Sequence, residues 1–131
     1  MTLKDAQEKV AKFNELRGWG KGTKNDSPLI KDFLLNITEE VGEVWNIIKW
    51  VGPEEQKKLI EQNKKEFVDF IGDELYLIFK IAYLLDIDPQ EAFEKTMKDY
   101  EVRFPVDKMK QVKHGNPLAG GIDDKQSVER Q

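Results

Sequence analysis

Residues 66–85, EFVDFIGDELYLIFKIAYLL, constrain the fold of this chain more than any other stretch. Most positions are apolar and none alternate with period two, which predicts a helix buried on most of its sides. Four of the five charged residues in it are not scattered. With Asp69 at zero and about 100° per residue, Glu66 falls at about 60°, Asp73 at about 40°, Tyr76 at about −20° and Lys80 at about 20°. Three acids, a tyrosine and a lysine share one narrow stripe of a helix that should otherwise be core. Like charges one turn apart repel each other, so this stripe needs compensation at neutral pH.

The same anomaly occurs earlier, in NITEEVGEVWNIIKW, residues 36–50. With Glu40 at zero, Phe33, Ile37, Val44 and Ile47 all lie between about −20° and 60°, so Glu40 sits inside the apolar stripe and Glu43 on its edge at about −60°. A carboxylate facing a core is costly unless a metal, a proton or a cation compensates it. Glu39 points about 100° away from Glu40 and belongs to the surface or to a supporting layer. Two helices with inward carboxylates at three- and four-residue spacing are how helical bundles build divalent-metal sites. Facing each other, they offer four or five oxygen ligands. One Glu-x-x-Glu on a helix is ordinary solvated surface, and an acidic stripe can be an ion-pair seam or a dimer contact. The two together, on helices this apolar, favour a metal.

Composition narrows which metal. The chain has no cysteine and a single histidine, His114, to which no role is assigned. Thiolate sites, disulfides and multi-histidine sites are therefore excluded, and an oxygen-only site suits magnesium, manganese or calcium. A net charge of −4, with 35% charged residues, argues against a duplex nucleic-acid partner. It is compatible with a small anionic ligand escorted by a cation. No basic leader precedes an apolar run and no stretch nears 18 uninterrupted apolar residues, so a cytoplasmic protein without membrane contact is expected.

Elsewhere the pattern is helical throughout. Leu3, Ala6, Val10, Phe13 and Leu16 recur at helical spacing over residues 3–17, before Gly18, Gly20 and Gly22 break the chain around Trp19. In NDSP, Ser27 can cap a second helix and Pro28 can occupy its first turn; that helix runs to about Val51 and stops at Gly52-Pro53. The next begins after Pro53, as one long helix or two joined near Asn63. Pro89 starts a last helix that reaches about Arg103, before Pro105. The expectation is one all-α domain over residues 1–107 with four or five helices, followed by a polar, glycine-containing tail over 108–131.

The residues ITEEVGEVWNIIKW, DFIGDELYLIFKIAYLLDID and RFP, with ELRGW and SP upstream, resemble the all-α nucleotide pyrophosphohydrolases of the MazG-like superfamily over roughly residues 4–105. The resemblance implies a helical bundle completed by dimerisation, as a homodimer or a dimer of dimers. It implies magnesium-dependent hydrolysis of (deoxy)nucleoside triphosphates between the α and β phosphates, giving monophosphate and pyrophosphate, as in nucleotide-pool house-cleaning. Manganese is expected to substitute. The family signature is Glu-x-x-Glu on one helix and Glu-x-x-Asp on the next. Glu40 and Glu43 match the first pair and Asp73 the final aspartate.

One ligand departs from the pattern: Phe70 stands where the common motif has glutamate. DFIGD resembles a phage-type variant, so the fourth ligand is Asp69 or Glu66, with Asp69 preferred. The implied metal set is Glu40, Glu43, Asp69 and Asp73, with Glu40 as ligand and base. On the last helix, the family's phosphate-binding lysine and asparagine fall on Thr96 and Tyr100, while Arg103 is retained; Lys95 and Lys98 face differently. Trp50 and Trp19 coincide with base-pocket aromatics of relatives acting on deoxycytidine triphosphate, although both could simply pack. Lys80 could meet a phosphate, but neutralising the acid stripe is favoured. For Tyr76, packing is favoured over a bond to a carboxylate. Phe70, Thr96 and Tyr100 also support the alternative, a non-catalytic helical dimerisation or regulatory module with a degraded metal site.

Overall fold

The structure is a computed structural model that describes residues 1–24 and 26–110. Among them are six helices and no strand: α1 (Leu3–Glu15), α2 (Ile30–Ile48), α3 (Pro53–Gln62), α4 (Lys64–Leu84), α5 (Pro89–Arg103) and α6 (Val106–Met109). The expected all-α class is observed. The short α6 after Pro105 was not anticipated, and it crosses the expected end of the domain at residue 107. His114 and most of the expected tail lie outside the described residues.

Local chemistry accounts for the boundaries. At the start of α1, Thr2 accepts from the Asp5 amide while the Asp5 carboxylate accepts from the Thr2 amide, a closed capping box. Gly18 ends that helix region in the left-handed conformation, φ 72°, where glycine pays no Cβ penalty. Its amide donates to the Glu15 carbonyl and the Trp19 amide donates to the Asn14 carbonyl, the two bonds of a Schellman closure. The helix α2 is preceded by a 3₁₀ turn, Ser27–Leu29, and its N-cap is Leu29 rather than the expected Ser27, with no side-chain cap. The long segment after Pro53 does divide at Asn63, whose side-chain amide donates back to the Leu59 carbonyl at 2.8 Å.

Residues 1–89 form one compact unit, and the residues after them belong to a second. In the first, α4 is central and packs against α2 and α1. Phe33, Leu77 and Leu84 are the buried centre, with Leu29, Ile30, Ile37 and Ile81 around them. Along α4 and just past its end, Tyr76 donates to Asn14 Oδ1, Tyr83 donates to Glu15, and Gln7 donates to the Ile87 carbonyl. From Tyr76 to Ile87 the partners move from Asn14 and Glu15 at the end of α1 back to Gln7 near its start, so α1 lies antiparallel along the C-terminal half of α4.

No α1 contact of this kind continues onto the N-terminal half. The expectation of all-round burial fails along both halves of α4: Val68 and Ile71 in the N-terminal half, and Leu75 and Ile78 in the C-terminal half, are 48–60% exposed. In the second unit, the Tyr100 and Phe104 rings meet edge-on at 5.8 Å, and the Arg103 guanidinium lies 5.1 Å from the centre of the Phe104 ring.

Candidate functional site

The carboxylates picked out by helical spacing do come together. Glu40, Glu43, Glu66, Asp69 and Asp73 line one cleft of about 210 Å³, with Val44 and Phe70 as its apolar wall. Those seven residues come from α2 and α4 only. No lysine or arginine lines the cleft, and among the described residues none forms an ion pair with these acids. Five like charges on two helices are thus left to solvent and to one another.

Glu40 carries the consequence. Its half-buried position, then the charges of Glu43, Asp73, Glu74 and Glu39, push its carboxyl above the usual carboxylate range. Both effects disfavour the ionised form. Asp69, Asp73 and Glu66 are exposed. The α4 stripe is therefore open at its acidic end and covered at its Tyr76–Lys80 end, where α1 and Trp19 close over it.

Glu74 was not singled out from the sequence. It lies about 140° from Asp69 on the helical wheel, beyond the stripe. Nevertheless its charge reaches Glu40, and its buried Oε1 has no hydrogen-bond partner. An unpaired buried carboxylate oxygen is costly, and the sequence signal was only that an acid follows Asp73.

Among the described residues, no three Asp, Glu or His side chains stand close enough to ligate one ion in their present rotamers. The donor chemistry nonetheless fits a hard divalent cation: five carboxylates on one cleft, no cation against them, and one orphaned oxygen beside them.

The remaining candidates are dispersed. Lys80 lies two turns from Asp73, is only 6% exposed, and forms no ion pair among the described residues. Its ammonium stands 4.5 Å from the centre of the Phe33 ring and 5.9 Å from that of Trp19. It thus lies near aromatic rings rather than neutralising the acid stripe as favoured from sequence. Burial pushes its pKa down. Tyr76 packs edge-on against Phe13 at 5.9 Å and also bonds Asn14, an amide rather than a carboxylate. Trp50 is 87% exposed, beside Lys49, so it is not core. Arg103 lies in the second unit, where its Nε is buried without a hydrogen-bond partner. Thr96 uses its hydroxyl on the Ala92 carbonyl of α5.

Comparison of the chain with protein-family models, curated proteins and solved structures returns no match.

Proposed function

We propose that this chain is a magnesium-dependent nucleoside triphosphate pyrophosphohydrolase that releases monophosphate and pyrophosphate, with manganese able to substitute. The observation that supports it is the cleft between α2 and α4, which gathers five carboxylates against no described cation. Glu40, Glu43, Asp69 and Asp73 would hold the metal. When bound, the metal supplies charge neutralisation for the triphosphate and for the departing pyrophosphate.

The chain's own residues do the rest. The oxygen of one water joins the α-phosphorus, the bond from that phosphorus to the α–β bridging oxygen breaks, and Glu40 takes the water's proton. A carboxylate held above its usual range is a stronger base than a free one, which suits that task. No protein nucleophile is required, in keeping with a chain without cysteine. We further propose that the protein acts in the cytoplasm, in nucleotide-pool house-cleaning, as a homodimer or dimer of dimers that covers the apolar side of α4. The resemblance of its sequence motifs to the MazG-like superfamily supports the assembly.

The test is a panel of nucleoside triphosphates with magnesium or manganese, followed for monophosphate and pyrophosphate. Release of both in equal amounts is expected. Phe70 in the cleft wall favours the alternative, a non-catalytic dimerisation module with a degraded site. Absence of pyrophosphate release across the panel, from a folded and assembled protein, would decide for it.

A further inference from the structure

Two open hinges bracket the turn after α1. Gly18 and Gly22 both hold the left-handed conformation, φ 72° and 78°, and a Cβ built at either would meet nothing within 4 Å. Glycine passes between the left- and right-handed regions without a Cβ penalty, so Trp19, Gly20 and Lys21 lie between two points where the chain can swing. Gly20 is the opposite case. A Cβ there would stand 3.0 Å from the Tyr83 hydroxyl and from Glu15 Cγ, so at this point the segment lies directly on α4 and on the end of α1.

Few contacts hold the segment down. The Lys21 amide donates to the Tyr83 hydroxyl at 3.2 Å, and that hydroxyl donates to Glu15 at 3.0 Å. The Lys21 ammonium pairs with Asp86, just past the end of α4. The two side chains are 40% and 80% exposed, so this is a surface ion pair, weak and screened by salt. The Trp19 ring lies 6.3 Å from that of Phe13 and stays 40% exposed, so it buries only part of its apolar area.

The lysine under the segment opposes closure. The Lys80 ammonium is 5.9 Å from the centre of the Trp19 ring. Lys80 is buried, and no hydrogen bond or ion pair reaches it among the described residues. Keeping an ammonium from water without a partner is unfavourable, and contacts with ring faces offset that only in part. Lifting Trp19 lets water reach it. Closure is thus favoured by one exposed ion pair, one hydrogen bond and part of a tryptophan, and it is opposed by the buried charge. A segment held in this way opens far more easily than the helices it lies on.

We propose that residues 18–22 form a strap that swings about Gly18 and Gly22, latched by Lys21 on Tyr83 and Asp86 and driven open by the buried Lys80 ammonium. Closed, the strap leaves the face of α4 that begins at Glu66 open along its acids alone. Open, it extends that face to a lysine two turns beyond Asp73. Ionic strength, acting on the latch, shifts the balance. The strap is independent of the chemistry in the carboxylate cleft, and its test uses neither metal nor nucleotide.

The full-length protein is pulsed with acetic anhydride at fixed pH, and acetylation of Lys80 is read by peptide mass spectrometry relative to the exposed Lys58. Asp86→Asn removes the latching charge and keeps a residue that tolerates the left-handed conformation found there, φ 55°. It should raise Lys80 labelling about two- to fivefold, the range a surface ion pair gives. High sodium chloride should do the same to the wild type and add nothing to the variant. Conversely, Lys80→Met, checked for folding by circular dichroism, should slow hydrogen exchange of the Lys21 amide by at least about threefold. Three results would each overturn the strap. One is Lys80 labelling indifferent to Asp86→Asn and to salt. Another is labelling that rises with urea as steeply as global unfolding does. The third is Lys21 exchange unmoved by Lys80→Met.

Discussion

Replacing Lys80 by methionine should stabilise the free protein, against the usual expectation for a large buried side chain. The lysine is buried with its ammonium near the Phe33 and Trp19 rings, and methionine reproduces its length and flexibility. What is lost is the attraction of the ammonium for two rings. The Phe33 contact at 4.5 Å is close and the Trp19 contact at 5.9 Å is at the limit of the effect, so together they are worth about 2 kcal/mol. What is recovered is the cost of keeping an ammonium out of water with no hydrogen bond, several kcal/mol in practice. The net is a gain of about 1–3 kcal/mol at pH 7, or roughly 4 °C in Tm for each kcal/mol in a chain this size.

The pH dependence gives a second handle. Burial lowers the folded-state pKa of Lys80 below its ordinary value of 10.5, so the unfolded chain binds this proton more tightly than the folded one. The wild type is penalised in full below the lowered pKa, and the penalty fades as pH rises from that pKa toward 10.5. The advantage of Lys80→Met should therefore be largest near neutrality and shrink toward pH 10. Urea denaturation of both proteins at pH 7 and about pH 10 measures it. If the variant is the less stable by more than about 1 kcal/mol at pH 7, or if the gap is independent of pH, Lys80 has a partner and the reasoning fails.

Glu40→Gln or Asp73→Asn should cut pyrophosphate release at least about 100-fold with the helical circular dichroism spectrum unchanged, and near-normal turnover would remove the cleft from consideration. Because the Glu40 carboxyl is raised above its ordinary 4.5, activity should be present above that raised pKa and fall as pH drops through it, visible as the acid limb of a rate profile. The same shift means that the ionised Glu40 destabilises the fold, so its contribution to stability declines as pH rises from 4.5 through the raised pKa. Asp69→Asn should raise the magnesium concentration needed for activity far more than Glu66→Gln, since the shorter acid must reach the ion from about 100° away from the usual position. Manganese should serve at least as well as magnesium. A greater sensitivity at Glu66 would move the ligand one turn earlier, and indifference at both would leave a three-carboxylate site.

Helical period alone was enough to bring Glu40, Glu43, Glu66, Asp69 and Asp73 together, because each lies within a few turns of α2 or α4 and those helices have clear apolar faces. Period does not say which length of a face is covered. The α4 stripe looks continuous from Glu66 to Lys80, yet α1 reaches only its C-terminal half, so the acids stand in the open and the lysine does not. Sharing the stripe makes Lys80 look like a counter-charge. Its side chain is two turns from Asp73, and its real neighbours, Trp19 and Phe33, come from a glycine turn and another helix. Asn14, fully buried, follows Val10 by four residues on the apolar side of α1. Its role as the tie between Trp19 and Tyr76 depends on contacts that no local pattern encodes.

The apolar side of α4 offers the last prediction. Val68, Ile71, Leu75 and Ile78 are spaced three and four apart and lie, with Asp69 at zero, between about −100° and 180° on the wheel, nearly opposite the acids. Each remains about half exposed. Burying the rest of four such side chains is worth about 1 kcal/mol apiece on each copy, or roughly 8 kcal/mol across a symmetric pair, the same order as the cost of association. One charge at its centre is enough to tip that balance. Leu75→Lys should thus convert an assembled wild type to a folded monomer in sedimentation at micromolar concentration. Since the stripe and the carboxylate cleft occupy opposite sides of α4, the cleft should keep its metal affinity in that monomer, read by calorimetric titration with manganese. A wild type that is itself a well-folded monomer would refute the assembly, and loss of metal affinity together with dissociation would show that the partner copy supplies part of the site.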